Sequence, residues 1–148
     1  MMRMARAWSA VACAAALLAV MPLRAADAVR GGGYVVYYSA VAAADIPASV
    51  AASHQLPRTA NAVVVDISVM KGPDAARGTP VTARVAGHAT TLLGKPLPLR
   101  FREVRDAGGM VYYLATQRVT RPDTLRFALR VTPVGAAPIE VDFSHDFP

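Results

Sequence analysis

The side chains able to do chemistry in this sequence are few and scattered. His54, His88 and His145 are the three imidazoles, and no two have the close spacing that makes a metal motif specific. Met70, His88 and Met110 together would offer thioether and imidazole, a donor set that suits Cu(I), although methionines on strands more often fill cores. Ser39, Ser49, Ser53, Ser68 and Ser144 lie in no Gly-x-Ser-x-Gly turn that would activate a hydroxyl. Asp66 is a lone carboxylate in the middle of a β-branched run, where the expected state is solvation or pairing with an arginine; a glycosidase would need a second, facing acid. Gly31-Gly32-Gly33 precedes a strand instead of opening a helix, so it lacks the dipole that cradles phosphate. These residues point to no catalytic group and no cofactor.

Two other groups of side chains invite binding. Arg100 and Arg102 alternate with Leu99 and Phe101 and meet no acidic row on the neighbouring Met110–Gln117 stretch. They mark an expected surface for an anion or a partner. Arg126 and Arg130 differ. Leu125–Thr132 and Ile139–Ser144 are joined by a short Pro/Gly turn and should pair as a hairpin. One register sets Arg130 against Asp142, and the register shifted by two sets it against Glu140; either pairing makes the row structural. Tyr37, Tyr38, Tyr112 and Tyr113 are candidate aromatic anchors for an interface; as core rings with hydroxyls at the rim they would serve equally well.

The elements that must position these residues follow from period-two patterning. Asn61–Met70 places Val63, Val65, Ile67 and Val69 on one face and Val64, Asp66 and Ser68 on the other. Such alternation in β-branched residues is a half-buried strand. Tyr34–Val41, Val81–Val85, Leu97–Phe101, Met110–Gln117, Leu125–Val131 and Ile139–Phe143 read the same way, with a further short stretch around Thr90–Leu92. Asp106-Ala-Gly-Gly109 has hairpin-turn composition. Asp45, as a cap, and Pro47 open one short helix running to His54. The fold expected is mainly β: a single antiparallel two-sheet sandwich, Ig-like, of about seven strands with one short N-terminal helix.

Taken in order, Tyr34-Val-Val-Tyr-Tyr-Ser-Ala, Ile67-Ser-Val-Met-Lys, Gly87-His-Ala-Thr-Thr-Leu-Leu-Gly, Leu99-Arg-Phe-Arg-Glu-Val, Tyr112-Tyr113, Leu125-Arg-Phe, Val131-Thr-Pro and Phe143-x-x-x-Phe147 resemble a family of small exported proteobacterial proteins, domain of unknown function 4426. The resemblance spans nearly all of residues 29–148. It implies an envelope location and transfers no catalytic residue; His145 stands where the family is expected to have glutamine.

The N-terminus agrees with export. Arg3 and Arg6 precede the apolar Ala7–Val20, then Pro22 and the small residues Ala25-Ala26-Asp27-Ala28. That layout is a secretory signal peptide, here residues 1–28, with cleavage expected between about 25 and 28. The apolar run is short for a membrane span, so no transmembrane segment is expected in the mature chain. Cys13 is the one cysteine and leaves with the leader, which removes disulfides and thiolate chemistry. The formal net charge of +6 is partly leader: from Val29 onward 13 Lys and Arg against 9 Asp and Glu give +4. A charge of this size suits solubility and argues for no nucleic-acid partner. The reading is a periplasmic, non-catalytic binding or interaction module whose partner is another envelope protein or an anionic envelope surface. A copper or small-ligand carrier is the alternative, with a hydrolase behind it.

Overall fold

The computed structural model describes residues 27–148, so the leader with Cys13 lies outside the described residues. Ten strands form two antiparallel sheets: β1 (Asp27–Gly31), β2 (Tyr34–Ala42), β3 (Ala62–Lys71), β4 (Thr79–Pro80), β5 (Ala83–Thr90), β6 (Pro96–Leu99), β7 (Arg102–Arg105), β8 (Val111–Arg118), β9 (Asp123–Pro133) and β10 (Ile139–Phe147). One sheet runs β1-β2-β3-β8-β7, with β4 also paired to β3; the other runs β10-β9-β5-β6. The helix α1 (Ala48–Ser53) follows a 3-10 turn at Ala43–Asp45. The sandwich is the expected fold, with more strands than the pattern suggested.

Each extra strand has a local reason. β1 pairs with β2 around Gly32-Gly33, both at positive φ, so the glycines that looked like a flexible lead-in are a hairpin turn. The Leu97–Phe101 alternation is broken into two strands in different sheets, β6 against β5 and β7 against β8. Alternation cannot reveal that break, because the inward parity persists while the chain crosses from one layer to the other. The Val81–Val85 alternation belongs to β5, which starts at Ala83 and runs through Gly87 to Thr90, while Thr91 and Leu92 of the expected short stretch lie in the turn that follows. A Cβ at Gly87 would collide with the Ala128 carbonyl oxygen, so only glycine allows this approach to β9. Asp45 makes no capping bond; it lies in the 3-10 turn, and Pro47 occupies the cap position.

The main core lies between the sheets. Val63, Val65, Ile67 and Val69 of β3 face Leu125, Phe127, Leu129 and Val131 of β9, all essentially inaccessible. Phe127 stacks on Phe143 at 4.6 Å, and Tyr38 meets the same ring at 4.6 Å. β9 and β10 pair with Arg130 opposite Glu140, at 2.7 Å, and Arg126 opposite Ser144. Of the two registers open to the sequence, the turn selects the one shifted by two.

A smaller second core sits on the other side of the first sheet. Ala43, Ile46 and Ala51 pack on Ala62 and Val64, with Val41 and Leu56 at the margin. At the opposite end of this outer face the β3–β4 connection crosses Met70, which is buried with Val35. The outer face is therefore roofed at both ends and open between them. α1 is too short to be stable alone; its apolar contacts and two arginine side chains hold it in place.

Candidate functional site

The open middle of that face is a cleft of about 330 Å³, walled by α1 and its flanks and by the β7–β8 hairpin. Its floor comes from three adjacent strands. Ser39 of β2, Asp66 of β3 and Leu114 of β8 lie side by side in register, and Val41 and Val64 continue the floor toward the roof. Ile46, Val50, His54 and Leu56 form one wall, while Asp106 and Tyr112 form the other. The lining is mostly apolar with a few convergent polar groups, the usual make-up of a small-ligand site.

Parity explains why these side chains meet. Even-numbered residues of β3 and β8 and odd-numbered residues of β2 point away from the main core, and the registers Ser39↔Asp66 and Asp66↔Leu114 bring them together. Two bonds hold the roof. The Arg58 Nε–H donates to the Ile46 carbonyl at 2.9 Å, and the Arg102 guanidinium donates to the His54 carbonyl at the end of α1. Gln55 follows in the left-handed region, φ 49°, and turns the chain back across the sheet.

Asp66 is the unusual group. It is half-buried, its Oδ1 is fully buried, and that oxygen accepts no hydrogen bond among the described residues. None of the ion pairs of the described residues, Arg77–Asp74, Arg105–Glu103 and Arg130–Glu140, involves it. Burial pushes its carboxyl up from an ordinary 3.8 to about 6. Of the two expected states, pairing with an arginine is not found among the described residues, and the flanking walls leave Asp66 only partly exposed to solvent.

Asp106 sits at the mouth, in the hairpin turn. Its Oδ1 accepts the Met110 N–H at 2.9 Å and its Oδ2 the Tyr112 hydroxyl at 3.5 Å. The Tyr112 phenol is pushed up chiefly by burial, then by the charges of Asp106 and Asp66. The cleft thus carries two carboxylates, Asp66 and Asp106, among mostly apolar side chains.

The four tyrosines divide by face. Tyr37 and Tyr112 lie on the outer face, in register with Ser68 between them. Tyr38 and Tyr113 point inward. The Tyr113 hydroxyl donates to Glu103 Oε2 at 3.1 Å and accepts the Ala83 N–H at 2.7 Å, tying the two sheets together. Tyr113 is a buried core ring, Tyr38 packs partly buried against the core, and Tyr112 is a cleft wall. Arg100 and Arg102 do not form one row: Arg100 lies exposed at the crossover between sheets, and Arg102 shares the outer face with Leu114 and binds the roof. Met70 and His88 are on opposite outer faces of the sandwich, with both layers between them, so the copper donor set is not assembled. Among the described residues no group of three or more His, Cys, Asp or Glu could hold a metal ion.

This is a small antiparallel β-sandwich with a ligand-sized cleft on the outer face of one sheet. Residues 28–148 match the domain of unknown function DUF4426, and the chain belongs to that family. A solved structure of a DUF4426 family protein from Pseudomonas aeruginosa PAO1 is similar to it: 29% identical, with a TM-score of 0.71 over 85% of this chain and 98% of that one. No functionally curated protein matches the chain. Among the described residues no helix is long and apolar enough to cross a membrane.

Proposed function

We propose that the chain is an exported envelope protein that binds a small amphipathic molecule, without transforming it, in the cleft over Asp66. The observation that carries this reading is a cleft of about 330 Å³, walled on two sides and lined mostly by apolar side chains, whose floor includes Asp66, a carboxylate with its inner oxygen unpartnered among the described residues. That volume is at the lower end of the range for ligand pockets. A purely structural sheet face would place valine or threonine at position 66 at no desolvation cost. The lack of a paired nucleophile and base around Ser39 and His54 favours binding over hydrolysis, since a nucleophile needs a base within hydrogen-bond reach. Export is supported by the order of charged, apolar and small residues before Asp27. Cleavage after Ala28 would remove Asp27 and Ala28, which pair with Tyr38 and Tyr37 of β2.

The test is amide-resolved NMR titration with 1-hexanol, a small neutral amphiphile. Saturable shifts should centre on Val41, Val64 and Leu114. Val50→Trp, at an exposed position that lines the cleft, should block them. Non-saturable shifts spread over the surface would overturn the reading.

A further inference from the structure

We propose that the cleft selects a primary ammonium group carried on an apolar body, with Asp66 as its anionic contact. This rests on the reading of the cleft as a ligand site and specifies what the ligand must be.

Asp66 is faced from three sides. From its own sheet come Ser39 and Leu114, neutral neighbours in register. From the hairpin come Asp106 and Tyr112, one anionic and the other a phenol already committed to Asp106. From the roof comes His54, whose backbone carbonyl holds Arg102. The Arg102 guanidinium donates to that backbone carbonyl, and no cation of the described residues forms an ion pair with either acid of the cleft. A half-buried carboxylate without a counter-charge is costly unless something supplies one.

The ligand is the remaining source of that charge. A carboxylate is acceptor-only when ionised, so its partner must donate, and a cation donates most strongly. Anions are rejected by the same two acids. An apolar body is required because Val41, Ile46, Leu56, Val64 and Leu114 make up most of the apolar lining, and their burial against a hydrocarbon chain is favourable. An ammonium is compact and presents three donors, which fits a site with one acid on the floor and a second at the mouth better than a planar guanidinium does.

The experiment compares three probes of equal length at pH 7.5, where Asp66 is ionised: n-hexylammonium, 1-hexanol and hexanoate, each titrated by NMR or calorimetry. The expected order is hexylammonium tightest by on the order of tenfold over hexanol, the usual return of a charge-assisted hydrogen bond, with hexanoate weakest. Asp66→Asn should bring hexylammonium down to the level of hexanol and leave hexanol unchanged. Asp106→Asn, which keeps the oxygen that accepts the Met110 N–H, should cost hexylammonium less. Hexanol bound as tightly as hexylammonium by the parent chain overturns the ammonium inference and leaves the cleft reading standing. Persistence of the preference in Asp66→Asn overturns it too. Failure of all three probes to bind removes the cleft reading itself.

Discussion

Replacing Asp66 by asparagine should make this protein more stable at neutral pH, the opposite of what a polar substitution in a packed strand usually does. The argument is one of linkage. Burial raises the Asp66 carboxyl from 3.8 to about 6, so the folded chain holds that proton more tightly than the unfolded chain does. Below about pH 4 both states are protonated and no penalty exists. As pH rises from about 4 to about 6 the unfolded chain releases its proton first, and folded stability falls through that window. Above it the penalty is complete. At 1.36 kcal/mol for each tenfold change in proton affinity, it amounts to about 3 kcal/mol.

The asparagine side chain is nearly isosteric and stays neutral, so it avoids the penalty. The assay is urea unfolding of the parent and Asp66→Asn at a series of pH values from 3.5 to 7.5. The two should be similar at the acid end and diverge as pH rises, reaching a midpoint difference on the order of 1–2 M urea in favour of the variant, given ordinary denaturant slopes. Subtraction isolates the effect. Asp74, whose carboxyl is held low by its hydrogen bonds to Arg77, contributes stability that is lost as pH falls, but it does so equally in both proteins. A pH-independent difference, or a variant less stable than the parent at pH 7.5, would refute the claim that an unpaired buried charge sits at this position.

Two further outcomes test the frame around the cleft. Tyr113→Phe removes the hydroxyl that accepts the Ala83 N–H and donates to Glu103; it should cost about 1–3 kcal/mol in urea unfolding, because the amide loses its partner. Gly87→Ala should cost roughly 1–3 kcal/mol or prevent folding, since the added carbon meets the β9 backbone and has no flexible side chain to displace; a near-neutral thermal melt would show that β5 and β9 are not so closely apposed.

Parity in the sequence was enough to place Asp66 on the outer face and Val63, Val65, Ile67 and Val69 in the core, because one strand's alternation sorts its own side chains. It could not show whether the outer face is wet. That depends on α1 and on the Asp106–Tyr112 hairpin, segments far from β3 in the chain, and burial is set by such non-local packing. The same limit explains the tyrosines. Within each adjacent pair the rings must face opposite ways, yet which ring is inside depends on register with β3. The crossing at Arg100–Phe101 was hidden because inward parity runs on through it, and β1 was hidden because its first residues continue the small-residue tract of the leader. The Arg130–Glu140 pair was one of two registers allowed, and the turn length chose it.

The outer face also bears on whether the cleft is an accident of packing. A sheet face left to solvent needs polar side chains, and one roofed by a helix needs apolar ones; each alternative is self-consistent. This face follows the second rule at Val41, Ala62 and Val64, where the roof rests. At the β3–β4 end it follows it again, with Met70 and Val35 covered. Only in the middle does it depart from both, with a carboxylate too buried to be hydrated freely and too isolated to be paired. Arg102, two strands away from Asp66 in register, donates to the roof's backbone and forms no ion pair with it. A structural explanation would need the charge to stabilise the fold, and burial gives it the opposite sign. Among the described residues no cation pairs with Asp66, and the proposed ammonium ligand would supply that charge.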